Sequence, residues 1–365
     1  MTILNEIEKG LRDPNKTKEI IQQIRQKSEG LKINIVHVCG THEYTISHYG
    51  LRSILPKNIR LIAGPGCPVC VCAAKDIDEA IYLAKNGVTL TTFGDMIRVP
   101  STNETLSEVR SKGGKVVVVY SIHDAVEYAK SHPDEDVVFF AAGFETTAPS
   151  IAYEVVSNPP SNFSVLTSLK VVPPAMKIML DIKDINVSGF ICPGHVSAII
   201  GSDAYKEFPE KYNIPTVVAG FEPIDVLYAI LLIVEQVRNG EAKNINEYFR
   251  VVRPEGNIQA KKIMNDAFTI IDTQWRGLGT IKNSGLEISE KYSEYNARKK
   301  YDIKIGKSVD IIPGCICHLV IVGLAEPEEC PFFGTKCTPQ MPYGPCMVSY
   351  EGTCRIRYET GEIEL

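Results

Sequence analysis

The chain has 365 residues, 44% of them hydrophobic and 23% charged, with a formal net charge of −5. That length exceeds one ordinary core and points to two or three domains of a water-soluble globular protein. The acidic balance, with no dense cluster of lysines and arginines, excludes a nucleic-acid binder. The longest strongly apolar run, Val226 to Val234, is about half of what spans a bilayer, so it reads as a buried helix and no membrane contact is expected.

Residues 1–30 read as polar helices broken at Asp13-Pro14, expected to pack on the C-terminal domain. The opening MTILNEIEKGLRDPNK lacks a basic stretch followed by an apolar core, so a cytoplasmic, reducing setting is expected. From Lys32 short β-branched runs alternate with amphipathic stretches: KINIVHV, RLIAG, GVTLTTF, KVVVVY, DVVFFAA, FSVLTSL, SGFIC and PTVVAG. The intervening segments, about 15 to 25 residues, are long enough for crossover helices such as Ala73–Asn86 and Ile122–Ser131. This is the pattern of α/β folds with parallel sheets buried on both faces. Ala-Gly-Phe-Glu ends a strand at 142–145 and again at 219–222, an internal echo that favours two similar Rossmann-like domains, 31–120 and 121–240. After Gly240 the rhythm weakens, and 241–365, with the only tryptophan, Trp275, and a cysteine-rich tail, is expected to form a smaller third domain.

The informative residues follow strands, where α/β sheets place their ligands. Cys39-Gly40-Thr41-His42-Glu43 follows the first, and Gly64-Pro65-Gly66-Cys67-Pro68-Val69-Cys70-Val71-Cys72 the second. Gly143-Phe144-Glu145-Thr146-Thr147 follows DVVFFAA, and Cys192-Pro193-Gly194-His195 follows SGFIC. No P-loop or G-x-G-x-x-G fingerprint occurs at any of them. Cys67 and Cys70 form a C-x-x-C opening into a helix, where the dipole lowers thiol pKa, and read as a redox pair ahead of half a zinc site. Cys39 beside His42 and Glu43 reads as a nucleophile or soft-metal ligand with a base nearby. Glu145 reads equally well as a helix cap, and His195 equally well as a core or capping histidine.

Of eleven cysteines, six lie from Cys315 onward, and the stretch ECPFFGTKCTPQMPYGPCMVSYEGTC holds Cys330, Cys337, Cys346 and Cys354. Such a segment has little hydrophobic periodicity with which to fold itself, and four thiolates converging on a metal centre would hold it. The long, uneven gaps and the absence of C-x-x-C pairs favour a cubane 4Fe–4S cluster over zinc. Cys315 and Cys317, alternate residues of IIPGCICHLVIVG, read as core residues on one side of a strand. Cys72 and Cys192 carry no assigned role.

Taken together, CGTHE, GPGCPVC, GFETT, PGHVS and the cysteine-rich tail resemble the HypD family of nickel–iron hydrogenase maturation proteins over nearly the whole chain. The resemblance implies an assembly scaffold with redox activity that helps build the Fe(CN)2CO group, working with the small chaperone HypC and the cyanide donor HypE. It implies that Cys39 holds the iron, that Cys67 and Cys70 are the redox pair, and that Cys330, Cys337, Cys346 and Cys354 ligate a 4Fe–4S cluster passing electrons to that pair. His42, Glu145 and His195 would surround the assembly cleft. Two other readings fit the same residues: a cluster-dependent thiol–disulfide reductase acting on a protein substrate, and a zinc-stabilised binding module.

Overall fold

The structure, a computed structural model, describes residues 13–361. The part of the expected N-terminal helices that falls on residues 1–12 lies outside them. All eight apolar runs become strands: β1 Ile33–His37, β2 Ile59–Ala63, β3 Thr89–Thr92, β4 Val116–Val118, β5 Val137–Gly143, β6 Phe163–Lys170, β7 Gly189–Pro193 and β8 Thr216–Ala219. Every residue of β1, β3, β5, β6, β7 and β8 is buried, because helices cover both faces and leave no polar side. Three further strands, β9 Asn244–Asn246, β10 Phe268–Trp275 and β11 Gly279–Ile288, were not foreseen.

The strands form two sheets. The first runs β2-β1-β7-β8-β9 and is parallel throughout. The second runs β10-β11-β6-β5-β3-β4, parallel except where the β10–β11 hairpin adds antiparallel to β6. The α/β expectation holds, but the chain does not partition at residues 120 and 240. It leaves the first sheet after β2, builds β3 to β6 in the second, returns for β7 to β9, and goes back for β10 and β11. Consecutive strands usually pair; here the segments after β2 and after β6 cross between sheets instead.

Residues 241–365 likewise build no core of their own. Cys337, Cys346 and Cys354 share one apolar cluster with Val36 of β1, Phe190 of β7, Phe144 and Trp275. The Pro14–Ser28 helix does not pack on this segment either. Its stripe Ile20, Ile21 and Ile24 lies against the Pro223–Asn239 helix of the first sheet, where Lys27 pairs with Glu235. That longer helix contains the apolar run Val226 to Val234 and is buried along most of its length. Among the described residues no helix is long and apolar enough to cross a membrane.

Strand order sets the site. From β1 the chain proceeds to β2 on one side, and from its neighbour β7 it proceeds to β8 on the other. The two connections diverge and open a crevice outside the carboxyl ends of β1 and β7. The second sheet repeats this between β3 and β5. The cysteine-rich tail lies against both ends: Glu351 abuts Gly40 after β1, and Arg98 after β3 donates to the Pro339 carbonyl (3.1 Å).

A buried charge network ties the Ala74–Lys85 helix to the second sheet. Asp76 receives Ser168 Oγ (2.6 Å), Lys170 Nζ (3.5 Å) and Arg298 Nη2 (3.0 Å), and Arg298 also pairs with Glu79 (2.8 Å) and Glu287 (2.9 Å). Lys170 is 0% exposed, and Asp76 is the carboxylate its ammonium group faces. Asp76→Ala is expected to cost about 3–5 kcal/mol in denaturant unfolding, the penalty of stranding a buried cation; a loss below about 1 kcal/mol would show that the network does not carry stability.

Candidate functional site

The crevice between β1 and β7 brings together two residues 156 positions apart. Cys39 leaves β1 in extended conformation and caps the Gly40–His48 helix, while His195 is the second residue of the Gly194–Ile200 helix after β7. Cys39 Sγ lies 3.6 Å from His195 Nε2. His195 stacks on Phe221, with centroids 4.9 Å apart, and burial lowers its pKa, so it is neutral. Burial first, and then the nearby Glu351 carboxylate, push the Cys39 thiol up to about 12. Cys39 is therefore a buried, protonated thiol. A soft cation that displaces its proton would turn it into a ligand, with neutral His195 placed to accept that proton.

Of the two bases expected beside Cys39, Glu43 lines the same cavity but is engaged by other partners, and His42 turns away. The His42 ring donates from Nε2 to the Gly220 carbonyl (2.9 Å), and burial, then His37, lower its pKa to about 3. Glu43 meets Arg52 Nη2 (2.6 Å) and His37 Nε2 (2.9 Å). Burial pushes its carboxyl up, but Arg52 and His37 outweigh this and hold it well below the usual carboxylate range. Spacing in sequence misled here because Cys39 is the extended residue before the helix, so the i,i+3 and i,i+4 neighbourhood of helical residues does not extend to it.

Cys67 and Cys70 form a disulfide, both buried. The following helix begins only at Ala74, so neither lies in its first turn and the expected dipole effect does not apply. Their loop lies against that of Cys39: a Cβ on Gly66 would sit 2.2 Å from the Cys39 nitrogen. His37, Cys39, Cys67, Cys70 and Glu351 line one cavity of about 10 Å3, close to the least that holds a single water. Glu351 had no sequence signal; only the fold of the tail brings it here.

Glu145 does cap a helix N-terminus, but that of Val172–Asp181 rather than its own. Its Oε1 accepts from Val172 N (2.9 Å), while buried Oε2 has no hydrogen-bond partner. Burial raises its pKa to about 7. Cys72 faces Ser168 Oγ (3.3 Å) beside the Asp76 network, and burial, then Asp76, raise its thiol to about 11. Cys192 is fully buried, which raises its pKa well above the usual thiol value.

The second gathering of chemistry is in the tail. Cys330, Cys337, Cys346 and Cys354 come together as expected, and Cys315 and Cys317 join them, six thiols lining one small apolar cavity. The latter two are not on a strand: Cys317 opens the short Cys317–Val320 helix, and Cys315 lies in the turn before it. Gly344 makes room for them, since a Cβ there would be 2.7 Å from Cys315 Sγ and 3.4 Å from Cys317 Sγ. A hydrogen bond from Cys317 lowers the Cys315 pKa to about 7. Among the described residues no three His, Cys, Asp or Glu side chains stand close enough to hold a metal as they are. The donor set is nonetheless uniformly soft sulfur in an apolar setting, which fits a thiolate-ligated centre. Cys70 Sγ is 4.0 Å from the carbonyl of Pro345, the residue before Cys346, so the disulfide separates the Cys39 cleft from the six-thiol cavity.

Comparison with known proteins agrees over the same span. The family model HypD, described as the Hydrogenase formation hypA family, matches residues 15–361. A Methanocaldococcus jannaschii protein assigned to hydrogenase expression and formation is 49% identical over 346 residues, 94% of this chain and 96% of that one. Hydrogenase maturation factor HypD2 of Bradyrhizobium diazoefficiens is 41% identical over 355 residues (94% and 93%), and HypD of Escherichia coli 36% over 359 (95% and 96%).

The Glu145 geometry has a consequence for stability. An unfolded glutamate ionises near 4.5 and the folded one near 7, so between these values the unfolded state loses its proton first. Stability is thus complete below about pH 4.5 and falls as pH rises to about 7, by about 3 kcal/mol. Glu145→Gln is expected to remove that decline when unfolding free energies at pH 5 and pH 8 are compared with the parent protein. An identical pH dependence in both would contradict the buried, unpaired carboxyl.

Proposed function

The chain belongs to the HypD family of hydrogenase formation proteins, and from that membership we propose that it is a scaffold and redox partner for assembling the Fe(CN)2CO group of nickel–iron hydrogenase. One observation carries the proposal: the buried Cys67–Cys70 disulfide lies between the Cys39–His195 pair and the six-thiol cavity. A free-standing reductase has no use for a protonated, histidine-paired thiol on the far side of its disulfide, and a zinc-stabilised module has no use for the disulfide.

The iron under construction is the cargo, held through Cys39 Sγ, whose proton passes to His195 Nε2. Cyanide and carbon monoxide are strong-field ligands, and a soft thiolate suits the low-spin ferrous iron they produce. Cyanide arriving as a thiocyanate on HypE needs two electrons to leave as cyanide and a thiol. The Cys67/Cys70 dithiol supplies them by closing to the disulfide, one of its protons going to the new thiol and one being released. Reopening the pair takes two electrons and two protons. Four of the tail thiols, Cys330, Cys337, Cys346 and Cys354 being the first candidates, would hold a 4Fe–4S cluster, which would supply electrons singly. The small chaperone HypC is the partner that shares the iron.

Cys39→Ala is expected to keep iron–sulfur absorption near roughly 400 nm and the Cys67–Cys70 disulfide. The same variant loses the infrared cyanide and carbon monoxide bands of the complex with the chaperone. Cys39→Ser should do nearly as badly, an alcohol oxygen being a poor donor to low-spin iron. Normal hydrogenase maturation by Cys39→Ala would overturn the scaffold.

Iron and acid-labile sulfide are each expected at about four per chain in anaerobic protein. Replacing the six tail cysteines by alanine one at a time should abolish the cluster in four variants and spare it in two. Stoichiometric zinc without sulfide would refute the cluster.

A further inference from the structure

The β10–β11 hairpin mixes buried and exposed residues along its strands, and at its tip Trp275 and Arg276 are driven into the interior. Trp275 is fully buried, stacks on Phe144 with centroids 5.8 Å apart, and bridges to Cys72. Next to it Arg276 is 2% exposed. Its backbone N–H donates to the Val71 carbonyl (2.9 Å), its Nε to the Cys72 carbonyl (2.8 Å), and its Nη2 to the Pro100 carbonyl (2.8 Å). Its buried Nη1 has no hydrogen-bond partner, and among the described residues no carboxylate pairs with it. On the other side of the tip, a Cβ on Gly277 would lie 2.5 Å from the Cβ of His318, the residue after Cys317. Arg276 therefore sits where the segment carrying the disulfide meets the segment carrying Cys315 and Cys317.

A buried cation with no anion is costly, because little in the apolar surroundings replaces its hydration. We propose that Arg276 is the built-in counter-charge of the six-thiol cavity, a fixed cation that favours the reduced, more negative form of the thiolate-ligated metal centre bound there. Packing of Gly277 on His318 sets this charge beside the segment that carries Cys315 and Cys317. A centre held by four thiolates is an anion, and each electron it accepts makes it more so, so a cation nearby stabilises the reduced state more and raises the potential. The guanidinium suits the place because Nε and Nη2 anchor it to two carbonyls while the charge stays delocalised over Nη1. The inference rests on the proposal that this cavity holds an iron–sulfur cluster.

The test uses full-length protein purified anaerobically, in three forms: parent, Arg276→Gln, which keeps a donor without the charge, and Arg276→Lys, which keeps the charge without the fork. Midpoint potentials are measured by mediated redox titration, and thermal unfolding is followed in parallel. Arg276→Gln is expected to lower the reduced fraction at a fixed potential about tenfold, roughly 59 mV for a one-electron centre, and Arg276→Lys to stay near the parent. A cluster retained in Arg276→Gln at the parental potential overturns the inference. So does a potential in Arg276→Lys displaced as far as in Arg276→Gln, which marks a structural role. Absence of labile sulfide in the parent overturns the cluster itself, and is distinguishable from both.

Discussion

The backbone of Gly66 lies so close to that of Cys39 that a single methyl group would have no room. This contact presses the loop after β2 onto the loop after β1 and brings the disulfide and the free thiol into one cavity. The tail closes on the same point. A side chain at Gly40 would strike Glu351, and one at Gly352 would come within 2.1 Å of the Cys346 carbonyl. Glycines at these positions are needed for close approach of backbones. With side chains there, the loops would separate and the sulfurs with them.

Most charge near this centre is tied up in ion pairs. Glu43, His37 and Arg52 form one buried group behind Cys39, and Asp76, Glu79, Lys170 and Arg298 another behind Cys72. The reactive sulfur groups of the cleft are a neutral thiol beside a neutral imidazole and a disulfide, with Glu351 and the Arg52-paired Glu43 at its wall. An environment that disfavours ions but offers sulfur is suited to soft-metal and redox chemistry, and poorly suited to hydrolysis, which needs a polarised, ionised nucleophile. Arg276 is the exception, a buried cation with no carboxylate partner among the described residues, held by the Cys72 and Pro100 carbonyls.

Much of the local structure was legible in the sequence. The eight strands were visible because buried parallel strands read as continuous apolar runs, and the Ile122–Ser131 helix because its period is clear. Cys39, the Cys67–Cys70 pair and the four tail cysteines stood out because they sit at strand ends or in a segment with no other means of folding. Less legible were the partners. His42 is three residues from Cys39, but the helix turns it toward Gly220, while His195 arrives from β7. Cys315 and Cys317 resembled a strand pair, and the turn at Gly314 carries them to the other thiols instead.

By itself, the sequence determined the eight buried strands of the two parallel sheets and most of the residues that carry the chemistry, since these follow from local period, burial and side-chain type. The tertiary structure alone decided how those residues combine. The chain crosses between the sheets after β2 and after β6, and that interleaving puts β7 beside β1, His195 beside Cys39, and the hairpin tip with Arg276 between two sets of cysteines. Such pairings depend on which strand hydrogen-bonds to which across more than a hundred residues. Parallel strands offer nearly equivalent edges to any partner, so the choice rests on packing of the whole molecule and leaves little trace in any one segment.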